Sequence, residues 1–137
     1  MVEPMNTVYA REDYLGADEY IDVVRKSGLN RPIEDRGRVE RMLAHANLIL
    51  TARQDGRLVG FARSLTDFCF CCYLSDLAVD RAYQGKGIGK RLIEETRTAA
   101  GGAQTTTLLL SAPTAMTFYQ GIKMPNANNC FLYRREK

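Results

Sequence analysis

Two periods of apolar residues run through this chain, and they predict helices beside a block of strands. Apolar positions recur at helical spacing over residues 18–26 and from residue 33 or 34 to residue 46. Stretches rich in apolar and β-branched residues predict strands at 7–11, 48–53, 58–65 and 68–79. The Asp55-Gly56 pair before the strand at 58–65 is a strong signal for a tight β-hairpin. We therefore expect three antiparallel strands between residues 48 and 79.

The second half of the chain predicts a helical crossover to a parallel strand. The predicted elements are a helix at 87–100, a strand at 105–110, a short helix at 114–120 that Pro113 opens, and a last strand at 130–134. The run at 105–110 is almost continuously apolar and β-branched, which is typical of a strand buried on both faces. A helix separates it from the strand at 68–79, so the two should be parallel. The order β-α-α-β-β-β-α-β-α-β predicts a single α/β domain over residues 1–137.

Composition and charge narrow the range of functions. The chain is 45% hydrophobic and 26% charged, as in an ordinary globular domain. A net charge of +3 is too small to indicate a nucleic-acid partner. No apolar run approaches the roughly 20 residues that a membrane helix needs, and residues 1–13 lack the apolar core of a signal peptide. We therefore predict a cytoplasmic protein without nucleic-acid or membrane partners.

Four cysteines raise the question of a metal site or a disulfide. Cys69, Cys71 and Cys72 lie close together and Cys130 is remote, while the only histidine is His45. Zinc sites usually combine a C-x2-C spacing with a second pair or with histidines. Adjacent strand residues face opposite sides, so Cys71 and Cys72 cannot clamp one ion together. We interpret the cysteines as small, reduced core residues and predict no metal.

A glycine-rich stretch lies between the long predicted strand and the helix after it. It consists of Gln84, Gly85, Lys86, Gly87, Ile88, Gly89 and Lys90. Glycines let a backbone adopt left-handed angles and approach a ligand closely. The first N–H groups of the following helix lack partners within that helix and favour an anion, and the lysines add positive charge. We interpret the stretch as a cradle for a pyrophosphate.

The spacing of the glycines separates three kinds of phosphate loop. A dinucleotide loop needs G-x-G-x-x-G, but the third glycine here, Gly89, comes one residue early. A P-loop needs G-x-x-x-x-G-K-[ST], but only three residues separate Gly85 from Gly89, and Arg91 stands in place of Ser or Thr. A nucleotide-binding domain is therefore disfavoured. The pattern Q/R-x-x-G-x-G/A does fit, through Gln84, Gly87 and Gly89.

That pattern, which follows a strand reading Leu-Ala-Val-Asp, resembles the coenzyme A loop of the GNAT superfamily of N-acyltransferases. The order of elements is also similar, except that residues 123–129 leave little room for the first of the family's two closing strands. The resemblance implies an α/β fold with a GNAT-like mixed central sheet. In it, antiparallel N-terminal strands are followed by a splayed parallel pair that forms the coenzyme A cleft.

The resemblance also implies acetyl-CoA as the co-substrate and gives parts of this chain a role in binding it. The backbone N–H groups of Leu77, Ala78 and Val79 would hold the pantetheine arm and the thioester oxygen. The pyrophosphate would lie on the glycine-rich stretch. Residues 117–122 are similar to the family's F-Y-x-x-G-F element, with one residue missing before the glycine. A tyrosine there commonly faces the coenzyme sulfur, which implies that Tyr119 serves the leaving thiolate. The alternative is a core tyrosine.

Asp76 is a second candidate for proton transfer. It is a carboxylate within an otherwise apolar strand segment at 73–79. Charged residues inside such strands are uncommon unless they are partnered or face a cleft. Asp76 could accept the proton of an amine, directly or through water, or bind a cationic substrate. It could equally be a solvated or salt-bridged carboxylate.

Two functional hypotheses follow from these residues and from the resemblance. The first is an N-acetyltransferase in which a small-molecule or peptide amine attacks acetyl-CoA directly, in a ternary complex. The second is a non-catalytic acyl-CoA-binding module that senses the coenzyme or regulates a partner. Turnover of a free amine would separate the two. Homodimers are common among similar proteins, so a homodimer is compatible with either hypothesis.

Overall fold

The computed structural model describes residues 6–137. Residues 1–13, in which no signal peptide is predicted, therefore lie partly outside the described residues. The strands are β1 (Thr7–Arg11), β2 (Leu48–Gln54), β3 (Arg57–Thr66), β4 (Cys71–Val79) and β5 (Thr106–Leu108), and the helices are α1 (Ala17–Ser27), α2 (Arg36–His45), α3 (Ile88–Ala99) and α4 (Met116–Gly121). Single 3₁₀ turns lie at Arg81–Tyr83, Gly102–Gln104 and Pro113–Ala115. None of the described helices has the length and apolar character needed to cross a membrane.

The strands form one mixed sheet in the order β1-β2-β3-β4-β5. The first four strands are antiparallel neighbours, and β5 runs parallel to β4. The parallel direction follows from α3, because a helical crossover returns the chain to the same end of the sheet. The predicted fold class, antiparallel N-terminal strands followed by a parallel pair, is confirmed.

The hairpin between β2 and β3 is also confirmed. Asp55 has φ 53° and Gly56 has φ 81°, and two successive left-handed residues are what a type I′ turn requires. The helices begin slightly away from the predicted positions. In α1, Gly16 rather than Asp18 is the N-cap residue. In α2, Asp35 caps the helix, since its Oδ1 accepts a hydrogen bond from the Arg38 backbone N–H at 3.0 Å.

Two apolar cores lie on the two faces of the sheet. On one face α3 packs against the strands, and on the other α1 and α2 do so. Both helices α1 and α3 are amphipathic, which explains why the periodicity located them correctly. The first core contains Leu48, Leu50, Leu74, Ile88 and Leu92. The second contains Tyr20, Val24, Val39, Phe61 and Ala78.

The turn between β3 and β4 is longer than predicted. The carboxylate of Asp67 accepts hydrogen bonds from the backbone N–H groups of Cys69, Phe70 and Cys71, at 3.0, 2.8 and 3.0 Å. These bonds hold the pKa of Asp67 well below its usual range. They also hold the backbone in a turn, so that β4 begins at Cys71 and the predicted strand at 68–79 was too long.

This turn also corrects the interpretation of the cysteines as core residues. Only Cys72 is buried, whereas Cys69, Cys71 and Cys130 are exposed, and all four are free thiols. Cys71 and Cys72 do face opposite sides of β4, as adjacent strand residues should. Among the described residues no group of His, Cys, Asp and Glu side chains could hold a metal ion.

The burial predicted for β5 was wrong, although its direction was right. The strand covers only Thr106–Leu108 instead of residues 105–110, and it is the edge of the sheet. Leu108 in the strand and Leu110 just after it are 45% and 42% exposed, so this run is not buried on both faces. An apolar run indicates a strand that can be buried, but only a covering element buries it.

The predicted last strand at 130–134 is not formed in the described chain. Residues after α4 have no regular secondary structure, and Phe131 and Tyr133 are fully exposed. A strand requires a hydrogen-bonding neighbour, which apolar and β-forming residues do not supply by themselves.

Candidate functional site

A cavity of about 500 Å³ opens between the end of β4, the glycine-rich loop, α4 and the end of α1. This is within the usual size range of small-molecule sites. Ten of the twelve predicted site residues line it: Leu77, Ala78, Val79, Gln84, Gly85, Gly87, Ile88, Gly89, Lys90 and Tyr119. The other two, Lys86 and Asp76, are not among the lining residues. Two further parts of the chain complete the wall, Ser27–Leu29 and the turn before α4.

The cavity exists because β4 and β5 separate. Their pairing covers only Cys71–Tyr73 and Thr106–Leu108, with Tyr73 opposite Leu108 as the last pair. β4 then continues to Val79 with β3 on one side and no β5 residue on the other. The backbone groups of β4 that face the cleft are consequently free of the β5 ladder. The splayed parallel pair is thus present, and the cleft lies where the two strands part.

The glycine-rich loop has the backbone geometry of an anion cradle. Gly85 and Gly87 have φ of 79° and 87°, a conformation that side-chain-bearing residues rarely adopt. No atom lies within 4 Å of a Cβ placed on either glycine, so the space beside the loop is open. Gln84 fastens the loop to the end of β4, because its Nε2 donates to the carbonyl of Val79 at 2.8 Å.

The N-terminus of α3 contributes further donors to this loop. Gly87 is its N-cap residue, and the backbone N–H of Arg91 donates to the carbonyl of Gly87 at 3.0 Å. The N–H groups of the three residues between them have no carbonyl acceptor within the helix. These three residues line the cavity, and the positive end of the helix dipole lies at the same end of α3. The loop can therefore offer several N–H groups to one phosphate.

Gly89 is required for a different reason. A Cβ at this position would lie 2.9 Å from Cζ of Phe118, closer than real Cβ contacts come. Phe118 belongs to α4 and packs edge-on against Tyr119, with 5.0 Å between ring centroids and 73° between ring planes. The glycine thus lets α4 approach the loop, and this approach places Tyr119 on the cavity wall.

Tyr119 is a half-buried side chain with its ring packed at the margin of the first core. Burial raises the pKa of Tyr119, and the positive charge of Arg31 only partly opposes this effect. The sign matters for chemistry, because a raised pKa keeps the hydroxyl protonated at neutral pH. Tyr119 can therefore donate a hydrogen bond or a proton into the cavity.

Asp76 lies in a buried ionic network instead of facing the cavity. Its Oδ1 accepts from Arg31 Nε at 2.6 Å, and its Oδ2 accepts from Arg63 Nε at 2.6 Å and from Tyr20 Oη at 2.7 Å. The side chain of Asp76 is 0% exposed. Burial would raise the pKa of Asp76, but the hydrogen bond and charge of Arg63, with the charge of Arg31, outweigh it and hold the pKa below the usual value. This geometry corresponds to the salt-bridged alternative of the sequence analysis.

One signal in the sequence could have identified this network. Arg63 is a charged residue inside an apolar strand, as Asp76 is, and in the structure the two lie opposite each other on β3 and β4. Cross-strand pairs of opposite charge stabilise a sheet. Arg31 gave no such signal, because it precedes Pro32 in the connection between α1 and α2.

We expect Asp76→Asn to destabilise the fold by about 3–5 kcal/mol, since it leaves two buried or half-buried arginines without their counter-charge. Asp22→Asn is the matched control, because it removes an exposed ion pair with Lys26 and should change stability by less than about 1 kcal/mol. Urea unfolding of the three proteins at pH 7 measures both effects.

The parent and Asp76→Asn also give a pH test. A carboxylate with a lowered folded pKa stabilises the fold above its unfolded pKa, near 3.9. That contribution is lost as the pH falls through the lower folded value. Asparagine cannot titrate, so the difference in stability between the parent and Asp76→Asn should shrink in acid. A difference that stays constant from pH 7 to about pH 2 would contradict the ionised assignment.

Comparison with known proteins defines the family. The model of the acetyltransferase (GNAT) domain matches residues 45–122, more than half of the chain. The chain belongs to the GNAT acetyltransferase family. The match includes β2 to α4, and with them the glycine-rich loop, the splayed strands and Tyr119.

Individual relatives agree with this assignment. The chain is 42% identical over 43 residues to GCN5-related N-acetyltransferase 2, chloroplastic, of Arabidopsis thaliana, a match that covers 31% of the chain and 17% of that protein. It is 30% identical over 97 residues to the uncharacterized N-acetyltransferase ycf52 of Porphyra purpurea, covering 67% of the chain and 54% of that protein. The chain therefore spans between a sixth and about half of the length of these curated relatives.

The fold is shared more widely than the sequence. A putative acetyltransferase from Deinococcus radiodurans superposes with a TM-score of 0.74 at 20% identity, covering 98% of this chain and 92% of that one. At this identity the likeness concerns the fold alone.

Proposed function

We propose that this chain is an N-acetyltransferase that transfers an acetyl group from acetyl-CoA to an amine by direct attack in a ternary complex. The observation that carries the proposal is the cavity at the parting of β4 and β5, bounded by a glycine loop at a helix N-terminus and by a protonated tyrosine. Family membership supports acyl transfer.

The chain's own groups fit the two ends of acetyl-CoA. For the pyrophosphate, we propose the N–H groups of the loop and of the first turn of α3, with Lys86 and Lys90 as additional charge. For the pantetheine arm and thioester oxygen, we propose the backbone of Leu77, Ala78 and Val79, which lines the cleft without a β5 neighbour. The thioester of acetyl-CoA, bound there, would supply an activated acyl carbon. The tests below distinguish acetyl-CoA from other ligands.

The proton inventory of the transfer assigns a role to Tyr119. The amine nitrogen forms a bond to the acyl carbon, the carbon–sulfur bond breaks, and the electron pair leaves on sulfur. The amine loses one proton and the sulfur gains one. Tyr119 lies on the cavity wall with its hydroxyl protonated, so we propose that it donates to the sulfur and is reprotonated from solvent.

We propose that water, rather than Asp76, takes the proton of the amine. Both oxygens of Asp76 accept hydrogen bonds, and its lowered pKa makes it a poor base. A general base has to reach the proton that it removes, and Asp76 does not line the cavity. The role that its contacts support is the anchoring of β4.

The acceptor that we propose is a small-molecule or peptide amine, entering from the side of Ser27–Leu29 at the end of α1. Charged side chains of both signs occur on α1 and α2, which gives no simple charge rule for the acceptor. A cytoplasmic location, a homodimer and the absence of nucleic-acid and membrane partners stay predictions.

Thermal unfolding tests the donor. At about a hundred times its dissociation constant, acetyl-CoA should stabilise the fold by about 2.7 kcal/mol, which for a domain of this size raises Tm by roughly 10 °C. The protein loops that bind NAD and ATP need other glycine spacings, so these two nucleotides should raise Tm much less. A clear shift with NAD or ATP and none with acetyl-CoA would exclude the coenzyme A site.

Turnover tests the reaction. A panel of amines incubated with acetyl-CoA and the protein should release free thiol in proportion to an N-acetylated product identified by mass spectrometry. If acetyl-CoA binds but no amine in the panel causes it to release free thiol, the result would support the non-catalytic sensor instead.

A further inference from the structure

We propose that Arg31 is a positioning residue that fastens the connection between α1 and α2 to a bulge in β4, and so holds together two walls of the cavity. Its structural consequence can be tested without any ligand. Its consequence for donor binding rests on the proposed function.

The bulge is defined by the register of β3 and β4. Arg63 lies opposite Asp76, and the next residue of β3, Ser64, lies opposite Leu74. Ser75 is therefore an extra residue with no opposite number, which is the definition of a β-bulge. Bulges locally disrupt the ladder and re-aim the side chains that follow them.

Here the bulge moves Asp76 from one face of the sheet to the other. In an uninterrupted strand, residues 72, 74, 76 and 78 would all face the same side. Leu74 packs in the core beneath α3, whereas Ala78 packs in the core beneath α1 and α2. Without the bulge, the carboxylate of Asp76 would point into the apolar core beneath α3. The bulge directs it to Tyr20, Arg31 and Arg63 instead.

Arg31 makes the contacts that hold the bulge from the helix side. Its Nη2 donates to the carbonyl of Ser75 at 2.6 Å, its Nε to Asp76 Oδ1 at 2.6 Å, and its Nη1 to the carbonyl of Asn30 at 2.6 Å. From the strand side, Arg63 Nη2 donates to Ser75 Oγ at 3.1 Å. The bulge is thus gripped at its carbonyl, its hydroxyl and the neighbouring carboxylate.

The position of these contacts links them to the cavity. Leu29, two residues before Arg31, lines the cavity on the α1 side. Leu77, two residues after Ser75, lines it on the β4 side. Arg31 therefore links the two walls, because it follows Leu29 by two residues and bonds to Ser75, which precedes Leu77 by two. It is not itself a lining residue, so it acts through the strand and the connection that it holds.

The shape of the guanidinium group matters as much as its charge. A planar fork can donate to a carboxylate and a carbonyl at the same time, whereas the ammonium group of lysine is a single point of charge. Arg31→Lys should therefore keep the charge beside Asp76 and lose the simultaneous grip on Ser75. This makes the lysine variant a test of geometry, and the Arg31→Gln variant a test of geometry and charge together.

Arg53 provides a matched control. Its side chain is 23% exposed, as that of Arg31 is, and it forms ion pairs with Glu12 and Glu19. It lies on β2, two strands away from β4, and does not line the cavity. Arg53→Gln should thus remove a comparable ionic contact without touching the bulge.

The decisive experiment is hydrogen exchange by mass spectrometry on the ligand-free parent, Arg31→Gln, Arg31→Lys and Arg53→Gln. We expect peptides covering residues 74–80 to exchange at least about tenfold faster in both Arg31 variants, relative to a β2 peptide of the same protein. Arg53→Gln should leave residues 74–80 at the parental rate. Parental exchange in the Arg31 variants, or equal loosening by Arg53→Gln, would overturn the proposal. If Arg31→Gln does not fold, Arg31→Lys decides alone.

Calorimetry with acetyl-CoA then separates this inference from the proposed function. We expect the dissociation constant to rise about tenfold in both Arg31 variants and to stay at the parental value in Arg53→Gln. If the parent itself does not bind acetyl-CoA, the proposed function fails, while the exchange result still decides the role of Arg31. Faster exchange at residues 74–80 with unchanged acetyl-CoA affinity would overturn the link between the bulge and the donor wall.

Discussion

Replacing Gly87 by valine should weaken acetyl-CoA binding at least about a hundredfold, whereas the same replacement at Gly56 should leave binding unchanged. Gly87 has φ 87°, caps α3 and lines the cavity, with nothing within 4 Å of its Cβ position. A branched side chain disfavours this backbone conformation and projects into the space that we assign to the pyrophosphate. The N–H groups of the loop then turn away from the phosphate, and the phosphate is also kept at a distance.

The magnitude follows from the hydrogen bonds at stake. A hydrogen bond to a charged group contributes about 1.5–3 kcal/mol. Losing two of them costs about 3–6 kcal/mol, which is roughly 10²- to 10⁴-fold in the dissociation constant. Calorimetric titration with acetyl-CoA measures the change directly.

Gly56 controls for backbone strain. It has φ 81° and open space around its Cβ position, as Gly87 does, but it lies in the hairpin between β2 and β3. Both variants should lose similar stability, and circular dichroism should show both folded. Gly89 is a less informative position, because a side chain there would displace Phe118 and with it Tyr119. Parental affinity in the folded Gly87 variant would mean that the phosphate cradle lies elsewhere.

Replacing Tyr119 by phenylalanine should lower kcat at least about tenfold and leave the dissociation constant of acetyl-CoA within about threefold. General acid catalysis typically contributes about 10²- to 10⁴-fold in rate, and the substitution removes only the hydroxyl that would donate. The ring keeps its edge-on contact with Phe118. Donor affinity should persist because the loop, not Tyr119, is proposed to hold the phosphates.

Tyr83 is the matched control for this substitution. It also lines the cavity and packs at the margin of the same core, from the turn that precedes the glycine loop. Tyr83→Phe should keep kcat close to the parental value. Steady-state and single-turnover rates with an identified amine acceptor measure both variants. If both rates of Tyr119→Phe equal those of the parent, the hydroxyl has no part in the transfer, and water must protonate the thiolate.

The pH dependence adds a check with a defined sign. Burial raises the pKa of Tyr119, with partial opposition from the charge of Arg31. The protonated donor therefore persists beyond the ordinary tyrosine value near 10. In the parent, activity should not be lost through ionisation of this hydroxyl below that pH.

The features that the sequence predicted correctly depend on near neighbours along the chain. The Asp55-Gly56 hairpin and the left-handed glycines at 85 and 87 reflect which residues tolerate positive φ. Helices α1 and α3 were predicted from the helical spacing of their apolar residues, a pattern contained within one segment of the chain. The spacing of Gln84, Gly87 and Gly89, with the strand before it, was specific enough to indicate the family that the domain match confirms.

The features that the sequence missed depend on what distant parts of the chain bring together. The exposure of β5 and of residues 130–134 was decided by the absence of a covering element in the described chain. The exposure of Cys69 and Cys71 was decided by three hydrogen bonds to one carboxylate, which extend the turn before β4.

Asp76 shows most clearly the difference between what the sequence determines and what the tertiary structure decides. Its sequence context established that a carboxylate sits in an apolar strand and needs a reason to be there, but not whether the reason is catalysis or pairing. The tertiary structure supplies partners 56, 45 and 13 residues away in the sequence, Tyr20, Arg31 and Arg63. Local conformation is set by each residue and its immediate neighbours, so the sequence alone determined the loop and the helices. The charge state and role of a buried group are set by whatever packs around it, and only the folded chain decides that.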